Sequence, residues 1–279
     1  MVGHAGGPDL SIDPVMILGF WLDQPVWLMF TLLAGLFLTF CALLSLLTTL
    51  PWTREGTRRL STGIVPPYIG VVAVLLALLT GFVANDAWER QRQANRVLQA
   101  ERSHALAVYD LSIASAPDMS SLRTSLFAYL EAVVKEEWPS MAATGASAPS
   151  AGQALGRLLQ AAADPRTAAE AGEATHAALL EAVMQLRSAR SERLAISAAR
   201  SDESKWLTLL VLAGLTLTAI ALVHCERPYA QATTLFLFSA AVVTTLGVIA
   251  LHERPFDGPL ALSPEPIRLA RAAMEAGGR

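Results

Sequence analysis

The sequence predicts an all-α, polytopic membrane protein with four transmembrane helices and an extramembrane helical bundle inserted between spans two and three. Hydrophobic residues make up 53% of the 279-residue chain and charged residues only 16%, against about 25% charged in an average soluble protein. Four apolar runs are long enough to cross about 30 Å of hydrocarbon at about 1.5 Å per residue. Elsewhere apolar residues recur at helical spacing, and no alternating strand pattern of useful length occurs.

The four runs divide the chain into segments. Residues 26–84 hold spans one and two, and residues 206–251 hold spans three and four. Residues 1–25 are an N-terminal segment whose run Val15–Leu22 is too short to cross a bilayer, so we expect an interfacial helix there. Aromatic side chains at or near the span ends match the headgroup level that amphipathic rings prefer. These are Trp27, Trp52, Tyr68, Trp88, Trp206 and Tyr229.

Residues 85–205 are predicted to form the extramembrane helical bundle, and residues 252–279 a C-terminal tail. No helix breaker occurs before Leu111, so span two is predicted to continue outward as one long helix. Asp164 followed by Pro165 is typical of a later helix start. The last part of the bundle carries a narrow apolar stripe at helical spacing, with charged residues around it. The stripe is Leu179, Val183, Leu186 and Leu194, and the flanking charges are Arg187, Arg190, Glu192 and Arg193.

The middle of the bundle is predicted to contain a helix and a loop. Asp118 or Ser120 can cap the helix, whose apolar residues recur at helical spacing as far as Val134. We expect this helix to end at residues 136–139. Residues 142–152 are rich in small side chains and are predicted to form a mobile loop.

The side of the membrane on which the bundle lies is left undecided by the charges. The short connection after span one carries Arg54, Arg58 and Arg59, which favours a cytoplasmic connection and an outside bundle. The arginines at the membrane-proximal ends of the bundle are more numerous and favour a cytoplasmic bundle.

The histidines and carboxylates do not form a pattern typical of an enzyme, so we predict no catalytic residue, cofactor or metal site. The five histidines do not pair with cysteines or carboxylates at metal-site spacing. Glu136 and Glu137 are adjacent, and adjacent helical carboxylates point apart, so an ion-paired or solvated role is favoured over an acid–base pair. Glu101 and His104 share a helical face that we expect to be solvated. The composition also argues against nucleic-acid binding.

The spans carry no Asp, Glu, Lys, Arg or His well inside, which argues against proton-coupled transport. A pore with an apolar constriction remains compatible, because gating by dewetting needs only aliphatic or aromatic side chains. The candidates for such a neck follow helical spacing in span two and are Val71, Val74, Leu78 and Phe82. Asn85 and Glu89, one turn apart beyond this span, are candidates for the pore mouth.

Each of these assignments has an alternative. The neck candidates suit lipid or helix packing equally well, and the small residues Gly70, Ala73, Ala77 and Gly81 favour close helix approach along span two. At the mouth, the alternative is that Asn85 bonds to a neighbouring helix. Asp86 and Arg90, also one turn apart, would then form an interfacial ion pair.

The tail carries a dense local pattern after span four. Arg254 stands at the end of a helix, where a cation is favoured and can reach phosphate headgroups. Pro255 stops the span and Gly258 supplies a turn. We expect a final helix to start at Pro264, with Glu265 in its first turn.

Two spans, a helical domain, two further spans and this tail resemble the bacterial bestrophin-like membrane protein family, a family of unknown function. The resemblance extends from about Val26 to Ile267. The residues that carry it are Gly81-Phe82, Ala87-Trp88-Glu89, Glu137-Trp138-Pro139, Arg187–Leu194 and the tail residues Arg254, Pro255, Phe256, Asp257, Gly258, Ser263, Pro264 and Glu265.

True bestrophins are oligomeric anion channels with four spans per subunit and an apolar neck on the second span. The resemblance therefore implies a homo-oligomer in the bilayer of the bacterial inner membrane, passing small anions through a pore lined by span two. Arginines at the vestibule would raise the local anion concentration. The acidic cluster with which bestrophins bind calcium has no counterpart here, so calcium gating is not implied. The alternative is a non-conducting scaffold or sensor whose helical domain binds a partner.

Overall fold

The computed structural model describes residues 19–61, 66–114, 118–199 and 202–277, and no strand occurs within these ranges. This confirms the all-α class. The helices are α1 (Val26–Thr49), α2 (Pro51–Ser61), α3 (Pro66–Ala114), α4 (Ser120–Ala132), a π-helical turn (Val133–Glu137), α5 (Trp138–Thr144), α6 (Pro149–Ala162), α7 (Pro165–Ala171), α8 (Glu173–Ala198), α9 (Glu203–Val223), α10 (Pro228–Leu251) and α11 (Glu265–Gly277).

Four helical stretches have the length and apolar composition to cross a membrane, as predicted. They lie in α1, in the first part of α3, in α9 and in α10. The described chain forms two compact units. The first unit comprises residues up to 86 and residues 202–251, and the second comprises residues 87–201 and those from 252 onward. Of the run Val15–Leu22, residues 15–18 lie outside the described part, and residues 19–22 are helical.

In the first unit, buried polar side chains link three of the membrane-capable helices. The Thr48 hydroxyl of α1 donates a hydrogen bond to Oε1 of Gln231 on α10 (3.1 Å), and Nε2 of Gln231 donates to the Ala221 carbonyl of α9 (2.6 Å). Farther along, Sγ of Cys41 lies 3.1 Å from the Ser239 hydroxyl. Such bonds between membrane helices contribute about 0.6–2 kcal/mol each. They fix the register of α1 against α10.

The Phe30 ring of α1 packs directly against Gly247 of α10. A Cβ atom at this position would lie 2.2 Å from Cε1 of Phe30 on α1, far inside van der Waals contact. Glycine is therefore required here because the Phe30 ring occupies the space of a side chain. By contrast, a Cβ atom added at Gly35 on α1 would meet nothing within 4 Å.

We expect Gly247→Ala to destabilise the first unit by about 1–3 kcal/mol, since the Phe30 ring must be displaced from a packed position. Thermal unfolding of the detergent-solubilised protein measures the effect, with Gly35→Ala as the matched control. Adding Phe30→Leu to Gly247→Ala is expected to recover part of the loss. If Gly247→Ala is as stable as Gly35→Ala, the close approach does not exist.

The aromatic residues at the span ends have two different environments. Trp27, Trp52 and Tyr229 are exposed. Trp206, in contrast, is buried, and its ring packs edge-on against Trp21 at a centroid distance of 5.4 Å. The side chain of Trp206 is therefore covered by Trp21, a residue before α1. The side chain of Tyr68 lies outside the described part.

In the second unit, α3 continues without interruption to Ala114, which confirms the predicted outward extension of span two. The predicted helix end at residues 136–139 is wrong. The backbone passes from α4 through the π-helical turn Val133–Glu137 directly into α5. Pro139 lies where the π-helical turn joins α5, in the first turn of α5.

The predicted mobile loop at residues 142–152 is also mostly helical. Residues 142–144 complete α5, Gly145 ends it with a left-handed φ of 68°, and α6 starts at Pro149. The small residue Ala151 is fully buried in the helical core. Small side chains here permit tight helix packing rather than flexibility. At the later start, the Asp164 carboxylate accepts the Arg166 N–H, which confirms the predicted cap before Pro165.

The tail packs as part of the second unit. Gly258 has a φ of 94°, which confirms the predicted turn, and α11 begins at Glu265, one residue later than expected. The helix buries Ile267, Ala270 and Met274, and the Tyr109 hydroxyl donates to the Met274 carbonyl at 2.6 Å.

Candidate functional site

The four neck candidates form an exposed apolar row on α3. Val71, Val74, Leu78 and Phe82 are between 56% and 68% exposed. Leu76, between them in sequence, is buried within the first unit. The row therefore faces away from the chain's own helices and is available to lipid or to another copy of the chain.

The small residues of span two do not make the close helix approach that the sequence favours within this chain. Cβ atoms added at Gly70 and Gly81 would meet no atom within 4 Å. Ala77 is likewise exposed. The glycine that another helix packs against is Gly247 of α10. The sequence does not identify it, because a single glycine in an apolar run does not show which side chain of another helix will lie against it.

Beyond the span, the predicted ion pair between Asp86 and Arg90 is wrong, since each has another partner. In the first unit, Nζ of Lys205 lies 2.6 Å from the Asp86 carboxylate. In the second unit, Arg90 forms a 2.9 Å ion pair with Glu253, whose side chain is only 6% exposed. Both pairs are made across elements far apart in sequence, so helical spacing could not reveal them. Asn85 is exposed.

Glu89, the second mouth candidate, holds two arginines of its own helix. Its carboxylate lies 2.8 Å from Arg92 and 2.6 Å from Arg96, and all three side chains are about half exposed or more. One negative and two positive charges leave a net charge of plus one. The group is therefore basic rather than the acidic ring that Glu89 alone would give.

The segment that follows α10 packs against the other side of these turns of α3. The Trp88 ring packs edge-on against His252 at a centroid distance of 6.4 Å, and Nε2 of Gln91 donates to the Leu260 carbonyl at 3.1 Å. With the Arg90–Glu253 ion pair, these contacts fix residues 252–260 on α3. Trp88 thus has a packing role in the second unit.

A cluster of four charged side chains lies in the core of the second unit. Arg193 of α8 is fully buried and forms ion pairs with Glu101 of α3 (2.6 Å) and with Glu137 (2.7 Å). Glu137 also pairs with Arg190, and the Tyr129 hydroxyl donates to Glu101. Two carboxylates and two guanidinium groups make the cluster neutral, and its hydrogen bonds meet the requirement for a tolerable buried charge.

The two adjacent glutamates of the π-helical turn have different environments. Glu137, at its end, is buried and also accepts the Ala148 N–H, whereas Glu136 is exposed and accepts the Ser150 hydroxyl. Adjacent helical side chains point apart, so one can be buried while the next is exposed. The prediction that these carboxylates do not act as an acid–base pair agrees with this arrangement, in which Glu137 is ion-paired.

The expected solvated position of Glu101 is wrong, since its side chain is fully buried. The missed signal is periodicity: on α8 the spacing of Leu179, Leu186 and Ala189 continues to Arg193, and Glu101 falls among the buried positions of α3. A charged residue in phase with an apolar stripe indicates a buried pair, but the sequence does not identify its partner.

The surroundings shift two pKa values in the cluster. Burial by itself would raise the pKa of Glu137, but hydrogen bonds from Arg190 and the charge of Arg193 outweigh it and hold that pKa below its usual range. Burial and the negative charge of Glu101 raise the pKa of Tyr129 well above its usual range. The phenol therefore keeps its proton and acts as a hydrogen-bond donor.

Trp138 connects the charged cluster to the tail. Its ring lies 5.4 Å from the Arg193 guanidinium and packs edge-on against Phe256 at 5.6 Å, and its indole N–H donates to the Leu262 carbonyl at 3.2 Å. Two separate pieces of the predicted family motif therefore meet in space. Other motif residues lie in the tail, where Pro255 is buried beside Phe256. Arg254 pairs with Asp257 at 3.1 Å, and Glu265 pairs with Arg268 at 3.1 Å. Gly258 in the tail and Pro139 in α5 are exposed.

Within the described ranges, no group of three or more His, Cys, Asp or Glu side chains is arranged to hold a metal ion.

Comparison with known proteins gives one family and one fold. A family model described as a bestrophin-like domain matches residues 35–267. No curated protein matches in sequence. Two point variants of a bacterial bestrophin homologue from Klebsiella pneumoniae superpose with TM-scores of 0.68 and 0.69 at 12% identity. They cover 87% and 89% of this chain and 99% of their own. A structure described only as a membrane protein variant gives 0.67 at 13% identity over 88% of this chain and 99% of its own.

Proposed function

This chain belongs to the bestrophin-like family and is a multi-pass membrane protein, and from that premise we propose that it forms a homo-oligomeric channel for small anions. The pore is lined by the first part of α3, and the channel lies in the bacterial inner membrane. The main observation in support of this channel is the exposed apolar row of Val71, Val74, Leu78 and Phe82.

The row has the chemistry of a neck gated by dewetting. Its side chains are aliphatic or aromatic, so they bind no ion and let water leave a narrow passage. None of the membrane-capable helices carries a charge well inside, so no charged side chain holds a permeating anion at mid-membrane depth. Conduction then depends on the width and wetting of the neck.

A single α3 helix cannot enclose a passage, so the proposal requires several copies around one axis. Closed rotational symmetry is the usual arrangement of homo-oligomers. In such a ring each copy contributes its row to the wall, and the lipid meets other exposed apolar side chains, such as Leu36 on α1 and Leu215 on α9.

Chloride and potassium flux from liposomes containing the purified protein tests this function. Leu78→Thr is expected to raise chloride flux roughly threefold or more, since lowering a barrier by about 0.7 kcal/mol raises a rate about threefold. Leu215→Thr, an equivalent change at a residue 52% exposed on α9, is the matched control and is expected to leave the flux unchanged.

No flux of either ion from a folded oligomer would contradict the channel. The alternative would then take its place, namely a non-conducting scaffold or sensor whose helical domain binds a partner. Equal effects of Leu78→Thr and Leu215→Thr would contradict the assignment of the pore lining to α3.

A further inference from the structure

We propose that Glu89, Arg92 and Arg96 of α3 are the charge selector of this channel. Glu89 holds the two guanidinium groups in place, and their excess positive charge favours anions over cations. The inference rests on the proposed function and adds the residues that decide ion preference. The apolar neck has no charge with which to distinguish anions from cations.

The geometry gives the three residues one common face. Positions 89, 92 and 96 are separated by three and four residues, so they lie on one side of the helix. Glu89 uses one carboxylate oxygen for Arg92, which donates through both Nε (3.0 Å) and a terminal nitrogen (2.8 Å), and the other for Arg96 (2.6 Å). This bridging fixes both guanidinium groups, because each long side chain is held at its charged end.

The neighbouring charges of the second unit do not cancel this excess. Arg90 is paired with Glu253, so that pair is neutral. Glu192 of α8 accepts a hydrogen bond from Gln93 (3.1 Å), the residue that follows Arg92 on α3. Glu192 is thus a negative charge beside the selector, and its removal provides a second test of the electrostatic argument.

In a ring of subunits, each copy contributes one excess positive charge to the same rim. Like charges around a water-filled opening raise the local concentration of counter-ions through potentials of several kT. Such a field is screened over about 10 Å at 0.1 M salt and about 3 Å at 1 M. The preference for anions is therefore expected to depend on ionic strength, which distinguishes it from exclusion by size.

The test is the reversal potential of the purified channel in planar bilayers under a potassium chloride gradient. Arg92→Gln/Arg96→Gln is expected to lower the chloride-to-potassium permeability ratio by about threefold or more at low salt, with a smaller change at high salt. Glu89→Gln, which removes the only acid of the group, is expected to raise the ratio. Glu192→Gln is expected to raise it less.

Arg157→Gln/Arg166→Gln is the matched control, since it removes two exposed positive charges from α6 and α7. It is expected to leave the ratio unchanged. A wild-type channel that conducts with a ratio insensitive to Arg92→Gln/Arg96→Gln overturns the selector and leaves the channel standing. A folded wild-type oligomer that carries no current overturns both. A ratio that falls equally in the control assigns selectivity to overall charge and also overturns the selector.

Discussion

Arg193→Met is expected to destabilise the second unit by about 3–5 kcal/mol, because it leaves buried carboxylates without their shared partner. Arg193 is fully buried between Glu101 and Glu137. Glu137 retains Arg190, but Glu101 retains only the Tyr129 hydroxyl as a donor among the described contacts. A buried, uncompensated carboxylate is the dominant cost.

Thermal unfolding in detergent measures this loss, and for a unit of this size we expect the midpoint to fall by roughly 6 °C or more. Arg187→Met is the matched control, since Arg187 is exposed on the same helix. Replacing Glu101 with glutamine in the Arg193→Met background is expected to restore part of the stability, because a neutral amide costs less to bury. Equal midpoints for Arg193→Met and Arg187→Met would show that the cluster does not hold the core.

Trp138→Ala is expected to cost about 3–5 kcal/mol, the range for removing a large buried aromatic side chain. The change removes the ring between Arg193 and Phe256 and the hydrogen bond to the Leu262 carbonyl. Its specific consequence is release of the tail, since Trp138 contacts both sides of the Gly258 turn.

Limited trypsin digestion reports this release through cleavage after Arg268 and Arg271 of α11. Cleavage in Trp138→Ala is expected to be faster than in wild type. Trp138→Phe keeps the ring contacts and loses only the hydrogen bond, so we expect a cost of about 1 kcal/mol and a smaller change in cleavage. If Trp138→Ala lowers the unfolding midpoint but leaves tail cleavage unchanged, the tail is held by other contacts.

For both Arg193 and Trp138, the sequence shows the type of residue but not the contacts that it makes in the fold. The motif pieces containing Trp138 and Phe256 carried the family resemblance, and their contact gives them a shared physical role. The tail is anchored to the buried charges through one indole ring. Stability of the second unit and placement of the segment that lies on α3 therefore depend on the same few side chains.

The sequence by itself determined the class of the protein. A run of twenty or more apolar residues has one stable environment, because every backbone polar group in hydrocarbon must be bonded within its own helix. Local chemistry was equally decisive at Asp164-Pro165 and at Gly258, where a cap and a positive φ depend only on neighbouring residues. The long extension of α3 followed from the absence of any breaker.

Only the tertiary structure decided which side chains are buried and with what. Glu101, Glu137 and the two arginines Arg190 and Arg193 come from three distant stretches of the chain. A charged residue on a helix is buried or solvated according to the helix packed against it. Gly247 is required only because Phe30 approaches it. Helical periodicity gives the face of a residue, but the partner of that face is set by contacts between elements that sequence spacing does not record.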